Sequence, residues 1–109
     1  MPSCSRNDVV LVRYPFSDLS GRKVRPAVVV SSPHRSDDVF VVPLTSRTDG
    51  LLDGEFVLSD WRGAGLHVAT ALKRGLYTIH ESLVMKVVGA LGAPDAQRLA
   101  QSLRGWLGL

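Results

Sequence analysis

Apolar residues follow two different patterns along this chain. Over most of its length they form short runs rich in valine and leucine, and near the end they recur at helical spacing. β-Branched residues favour extended backbone, so the runs predict strands. The predicted strands are Val9–Tyr14, Arg25–Val30, Val39–Leu44, Glu55–Leu58, Leu66–Leu72, Leu76–Ile79 and Leu83–Leu91. A polar loop, Pro15–Val24, joins the first two strands into a hairpin and sets Arg25 at its mouth.

The last segment predicts one helix. Pro94 and Asp95 suit a first helical turn, Pro because it needs no N–H there and Asp because of the helix dipole. Leu99, Leu103 and Trp106 then form an apolar stripe that we expect to pack on the sheet. Because several strands are apolar on both faces, the pattern favours a small closed β-barrel covered by other elements.

Composition limits the class of protein. A chain of 109 residues, 45% hydrophobic and 21% charged, is expected to form one globular domain over residues 1–109. The net charge of +3 is compatible with a polyanionic partner, and the single cysteine, Cys4, excludes an internal disulfide. No stretch approaches the ~20 apolar residues of a membrane span, and no signal-peptide core follows the first residue, so the expected location is cytoplasmic.

Few residues have an arrangement that suggests chemistry. The sequence has no phosphate-binding glycine loop, no histidine and cysteine spacing typical of a metal site and no nucleophile elbow. What remains is a set of cations near predicted strand ends, with small hydroxyl residues beside them. Such side chains suit a phosphate group, which guanidinium binds in bidentate fashion, although they would also suit a solvated charged rim. The set is Arg22, Lys23, Arg25, Arg47, Lys73, Arg74, Ser17, Ser20, Thr45 and Ser46.

The order of several motifs resembles the PemK/MazF family of toxins from type II toxin–antitoxin systems. An acidic residue and a Val/Leu strand precede a Pro-Phe-Ser-Asp loop, followed by Arg-Pro-Ala and a valine run, and later by Pro-Leu-Thr-Ser. The resemblance covers nearly the whole chain, and the series is specific in combination. The matching stretches are Pro15–Asp18, Arg25–Ala27, Val42–Ser46, Asp60–Trp61, Leu76–Ile79 and Val88–Leu91.

The resemblance implies a fold and an activity. Family members are curved, SH3-like β-barrels with a C-terminal helix, and they form homodimers. Many are endoribonucleases that cut single-stranded mRNA through the substrate 2′-OH, without metal or other cofactor, and leave a 2′,3′-cyclic phosphate. A cognate antitoxin blocks the site with a flexible acidic segment. We therefore expect mRNA and an antitoxin as partners, and no membrane.

The resemblance also assigns site residues. Its catalytic arginine corresponds to Arg25 and its threonine to Thr45. Because arginine stays protonated, Arg25 suits stabilisation of charge that develops on the phosphate better than proton transfer. The expected RNA-binding residues are Ser17, Arg22, Lys23, Ser46, Arg47, Lys73, Arg74 and Tyr77.

One departure from the family pattern leaves the general base open. Where many members carry an aspartate, this chain has Arg74, and Tyr77 replaces a usual arginine. His67 or His80 has a suitable ordinary pKa, and His34 is a weaker candidate. Two alternatives therefore stay open: a catalytically degenerate member that only binds antitoxin, and a toxin that poisons a protein such as gyrase.

Overall fold

The computed structural model describes residues 4–14 and 23–109. It contains seven strands, one 3-10 turn and one helix within these ranges. In chain order they are β1 (Asp8–Tyr14), β2 (Lys23–Val29), β3 (Asp38–Thr45), β4 (Phe56–Val57), β5 (Ala71–Leu72), β6 (Tyr77–His80), the 3-10 turn (Glu81–Leu83), β7 (Val84–Ala90) and α1 (Ala93–Leu107). The prediction of a mainly β fold with a C-terminal helix is confirmed.

The strands form one antiparallel sheet in the order β4-β5-β3-β2-β1-β7, with β6 also paired to β3. Among residues 4–14 and 23–109, no ladder joins β7 back to β4 or β6. The described strands therefore do not close into the barrel that the sequence predicted. The valine runs are nonetheless buried on both faces, because each face of the sheet has its own core.

Alternation along β1 separates the two cores. Val9 faces a core that includes Val28, Val42, Phe56 and the helix residue Leu99. Its neighbours Val10 and Val12 face a second core, built from β1, β2, β3, β6 and the start of β7. Among the described residues, none of α1 belongs to this second core, yet Val10 and Val12 are fully buried in it. Cys4 and Leu83, which lie outside the strands, also pack against it.

Helix α1 covers the first core as the stripe predicts. Leu99 is buried, and Leu103 and Trp106 pack against the same cluster. Pro94 lies in the first turn, and the helix ends at Gly108, whose positive φ of 71° is readily adopted only by glycine. The helix therefore begins where Pro94 and Asp95 indicate, and Gly108 caps its end.

The strand predicted over Leu66–Leu72 is mostly wrong, since only Ala71–Leu72 is extended and paired. The preceding residues form a loop in which the Thr70 hydroxyl donates to the carbonyl of Val68, 2.8 Å away. The loop turns at Gly65, where φ is 90°. The prediction counted Val68 as an apolar strand position, but in this loop Val68 is 56% exposed. Hydrophobic content alone therefore did not distinguish the loop from a strand. The predicted strands Glu55–Leu58 and Leu83–Leu91 are shortened to β4 and β7.

Strand β2 starts earlier than predicted, at Lys23, so Arg25 lies inside the strand opposite Val12 and not at its mouth. The ladder with β3 begins only at Ala27. Pro26 is therefore paired on one side alone, opposite Leu11 on β1. A residue without an N–H is tolerated there, because the other side of β2 is locally a sheet edge.

Candidate active site

Arg25 and Thr45 occupy matching positions on neighbouring strands. The β2–β3 ladder pairs Val29 with Val41 and ends with Ala27 opposite Pro43. Arg25 lies two residues before Ala27 and Thr45 two residues after Pro43, so both lie two positions beyond the last pair of this ladder, where β2 stays paired with β1 and β3 with β5. Because side chains alternate along a strand, Arg25 is on the same face as Ala27 and Thr45 on the same face as Val41, and both of these faces belong to the second core. The strands thus bring an exposed cation and a half-buried hydroxyl to one end of the second core.

Thr45 is held from both sides. Its backbone pairs with Ala71 of β5, and its Oγ1 accepts the backbone N–H of Arg47 at 3.1 Å. A hydroxyl that accepts one hydrogen bond still has its own O–H to donate. Ser46 and Arg47 follow on the exposed side of the strand end. The guanidinium of Arg47 reaches Asp49 at 3.6 Å, but both side chains are more than 80% exposed, so this ion pair is weak.

A slip in the strand beside β3 places two further cations near Thr45. Val41 pairs with Tyr77 and Leu44 with Leu72, so three positions along β3 correspond to five on its neighbour. The two extra residues form a corner between β5 and β6, anchored where Lys73 donates its N–H to the carbonyl of Pro43 at 3.0 Å. The exposed side chains of Lys73 and Arg74 belong to this corner. Tyr77, opposite Val41, lies about 13 Å from Thr45 along the strand.

A cleft of about 300 Å³ lies beside Thr45, with Lys73 on one wall and the turn ahead of β4 on the other. It also contains Glu55, whose importance the sequence did not reveal. The Glu55 carboxylate accepts the backbone N–H of Arg74 at 2.8 Å and that of Leu52 at 2.7 Å. These two hydrogen bonds, with a smaller effect of the charges of Lys73 and Arg74, hold the pKa of Glu55 below its ordinary value.

Two of the three histidines lie away from this site. His80 pairs with Asp38 at the far end of β3, about 23 Å along the strand from Thr45. There its Nδ1 accepts the backbone N–H of Ser82 at 3.1 Å. His34 lies in the loop before β3, with Nδ1 2.7 Å from the hydroxyl of Ser36. His67 is exposed in the loop before β5. His34 and His80 therefore do not suit the role of general base for a phosphate at Thr45.

Three predicted RNA-binding residues are only partly covered by the structure. Ser17 and Arg22 lie outside the described residues. Lys23 is described as a backbone position of β2, opposite Tyr14.

Within residues 4–14 and 23–109, no group of three or more His, Cys, Asp or Glu side chains could hold a metal ion. No helix in the same ranges has the length and apolar content needed to cross a membrane.

Solved structures share this fold over 97% or more of their length. MazF from Deinococcus radiodurans superposes with a TM-score of 0.79 at 18% identity, covering 100% of both chains. An endoribonuclease from Mycobacterial species, solved in complex with its cognate antitoxin, gives 0.74 at 19% identity, with 98% of this chain and 97% of that chain covered. The Mycobacterium tuberculosis toxin MazF-mt6 gives 0.72 at 19% identity, with 94% and 97% covered. At these identities the likeness concerns the fold.

The sequence itself identifies the family. No curated protein matches the chain. The family model of PemK-like, MazF-like toxins of type II toxin–antitoxin systems, however, matches residues 5–107. This range includes the site built around Arg25 and Thr45 and the whole of helix α1. The chain therefore belongs to the PemK-like, MazF-like family of type II toxins.

Proposed function

We propose that this protein is a toxin endoribonuclease that cleaves single-stranded mRNA, with Arg25 and Thr45 as its catalytic residues. The observation that carries the proposal is that these two residues lie on one face of the sheet, each two positions beyond the end of the β2–β3 ladder, with Lys73 in the same cleft as Thr45 and Arg74 next to Lys73 in the chain. The similar fold of an endoribonuclease from Mycobacterial species supports it. Family membership and this homologue favour a ribonuclease over a gyrase poison or an inactive member.

The proposed reaction needs no metal. The 2′-oxygen of the RNA attacks the adjacent phosphorus and loses its proton, and the bond from phosphorus to the 5′-oxygen breaks as that oxygen gains a proton. The products are a 2′,3′-cyclic phosphate and a 5′-hydroxyl. Negative charge accumulates on the non-bridging oxygens during attack. The guanidinium of Arg25 and the O–H of Thr45 would donate to these oxygens, and fixed donors of this kind stabilise a transition state most effectively.

The remaining cations would hold the RNA strand on either side of the scissile phosphate. Lys73 and Arg74 are exposed at the slip beside Thr45, and Ser46 and Arg47 continue β3 past it. We assign RNA-backbone contacts to these four residues and a base-stacking role to Tyr77. Ser17, Arg22 and Lys23 keep this assignment through the family resemblance alone.

The partners follow from the same chemistry. The exposed cations proposed to hold RNA would also bind an acidic peptide, so we propose that the cognate antitoxin blocks activity by competing for them. The homologue from Mycobacterial species was solved with its antitoxin. We also propose that the protein forms a homodimer and that its fold is an SH3-like barrel around the second core. Because mRNA is the proposed substrate, the proposed place of action is the cytoplasm.

The test is RNA cleavage by the purified protein in excess EDTA. We expect fragments that carry 2′,3′-cyclic phosphate and 5′-hydroxyl ends. Arg25→Ala should lower the cleavage rate on the order of 10²- to 10³-fold, as loss of one transition-state donor does elsewhere. Arg104→Ala, which removes an exposed arginine from the last turn of α1, serves as the matched control and should leave the rate unchanged. Intact RNA with the wild-type protein, or equal rates for the two variants, would contradict the proposal.

A further inference from the structure

Glu55 connects two parts of the chain that are distant in sequence. One carboxylate oxygen accepts from Leu52, three residues earlier in the turn before β4, at 2.7 Å. The other accepts from Arg74, nineteen residues later at the β5–β6 corner, at 2.8 Å. Bonds to a charged carboxylate are stronger than neutral ones. Glu55 therefore fixes the corner to the turn, and these are the two walls of the cleft beside Thr45.

The turn is anchored independently on its other side by helix α1. The indole N–H of Trp106 donates to the carbonyl of Asp53 at 2.9 Å, and the hydroxyl of Ser102 donates to the backbone carbonyl of Gly54 at 2.7 Å. Helix α1 thus holds the turn in place, and the hydrogen bond from Arg74 to Glu55 holds the corner against the turn. The corner has a second backbone hydrogen bond that does not involve Glu55, from the N–H of Lys73 to the carbonyl of Pro43 on β3.

The negative charge of Glu55 indicates that this residue does not itself bind RNA. A carboxylate in a cleft that binds a polyanion weakens binding, and this one uses both oxygens as acceptors for backbone N–H groups. Glu55 therefore has no evident use in holding RNA. Its contacts act on the backbone that carries Lys73 and Arg74, and these cations would meet the phosphate beside Thr45.

We propose that Glu55 is a positioning residue for RNA cleavage: it orients the Lys73–Arg74 corner against Thr45 and does not itself bind RNA. This inference depends on the proposed ribonuclease function. A positioning role predicts different effects on the cleavage rate and on RNA affinity, whereas a merely structural role would lower both together. Loss of Glu55 should slow the chemical step, because the cations shift relative to Thr45, while RNA affinity should stay the same or increase, because both cations remain exposed beside the cleft and one negative charge is lost from it.

The experiment compares Glu55→Gln and Glu55→Ala with wild type. Single-turnover cleavage at saturating RNA measures the chemical step, and binding of the same oligonucleotide with 2′-deoxy sugars, which cannot be cleaved, measures affinity. We expect the rate to fall on the order of 10²-fold in Glu55→Ala. Glu55→Gln should lose less, because its amide oxygen still accepts one N–H. Affinity should not decrease in either variant.

Asp49→Asn is the matched control, because it removes the same charge from the same cleft. Within the described part of the chain, Asp49 forms a weak, exposed ion pair with Arg47 and no hydrogen bond that joins the cleft walls, so this variant should bind RNA as tightly as Glu55→Gln and cleave at the wild-type rate. Equal rates for wild type, Glu55→Gln and Glu55→Ala would overturn the inference and leave the ribonuclease function standing. A parallel loss of affinity and rate would overturn it in favour of a structural role. Absence of cleavage by wild type would overturn both.

Discussion

Both carboxylate oxygens of Asp95 accept the backbone N–H of Ser59, at 3.0 and 2.9 Å. Asp95 lies in the first turn of α1 and is 1% exposed, and one of its oxygens also accepts from the N–H of Asp60 at 3.3 Å. Asp95 was predicted in the first helical turn from the helix dipole alone. In the structure it also attaches the helix to the loop after β4. This contact secures the helix that covers the first core.

We expect Asp95→Ala to lower the free energy of unfolding by about 1–3 kcal/mol, because the backbone N–H groups of Ser59 and Asp60 lose a charged acceptor. Chemical denaturation of the purified variant measures the change. Gln97→Ala, an exposed substitution two residues along the same helix, should change it by less than about 0.5 kcal/mol. Equal effects of the two substitutions would show that the Asp95 contact contributes nothing.

Gly65→Ala is expected to destabilise the protein severely. Gly65 has a φ of 90°, and a Cβ there would overlap the backbone carbonyl of Val88 on β7. Gly50 also has a positive φ, 65°, but a Cβ there would meet no atom within 4 Å. Gly50→Ala should therefore cost only the backbone term of about 1 kcal/mol. Thermal unfolding of both variants checks this, and similar melting temperatures would contradict the close approach of the loop to β7.

Thr45→Val should lower the cleavage rate on the order of 10²-fold, because it removes the hydroxyl that is proposed to donate to the phosphate. Thr45→Ser keeps that hydroxyl and should restore most of the activity. Folding is controlled by the melting temperature, since valine is well suited to a strand. Wild-type activity in Thr45→Val would remove Thr45 from the catalytic set.

Salt dependence tests the cations at the β5–β6 corner. Each contact to a single-stranded phosphate contributes about −0.7 to the slope of log affinity against log salt concentration. Arg74→Ala should therefore make the slope shallower by about that amount, measured with a non-cleavable 2′-deoxy oligonucleotide. Arg104→Ala should leave it unchanged. The same slope in both variants would place Arg74 outside the RNA path.

The pKa of Glu55 predicts a pH dependence of stability. Because the folded state holds the pKa below its ordinary value of 4.5, the stabilisation by this carboxylate is fully present above about pH 4.5 and disappears as the pH falls through the folded value. The difference in unfolding free energy between wild type and Glu55→Gln should therefore be largest near neutral pH and shrink in acid. Denaturation curves across this range measure it. A difference that does not vary with pH would contradict the predicted contribution.

The strands that carry the proposed catalytic pair were predictable, because their valine runs are long and leave little ambiguity. Helix α1 was predictable from Pro94, Asp95 and the apolar stripe. The strand predicted over Leu66–Leu72 was wrong, because the valine and leucine in that segment lie in a loop stabilised by a turn at Gly65 and by contacts distant in sequence. Composition carries no signal for such contacts.

The missed role of Glu55 has the same cause. Its partners lie three and nineteen residues away, and the second is in reach only because of the slip between β5 and β6. A slip of two residues preserves the alternation of faces, so the hydrophobic pattern does not reveal it. Arg25 and Thr45 were assigned to one site by resemblance, and only the structure showed that both lie on the face of the second core, two positions beyond the end of the β2–β3 ladder.

The slip also affects how this sheet meets other chains. On the side of β3 away from β2, the sheet is broken into the four-residue strand β6 and the two-residue strands β5 and β4, and β7 at the other edge is bulged twice against β1. Short or bulged edges are poor templates for a further strand, whereas long flat ones promote fibrous association. The corner that presents Lys73 and Arg74 is therefore also expected to hinder aggregation. Restoring a continuous strand by deleting two residues from the corner would be expected to remove that protection.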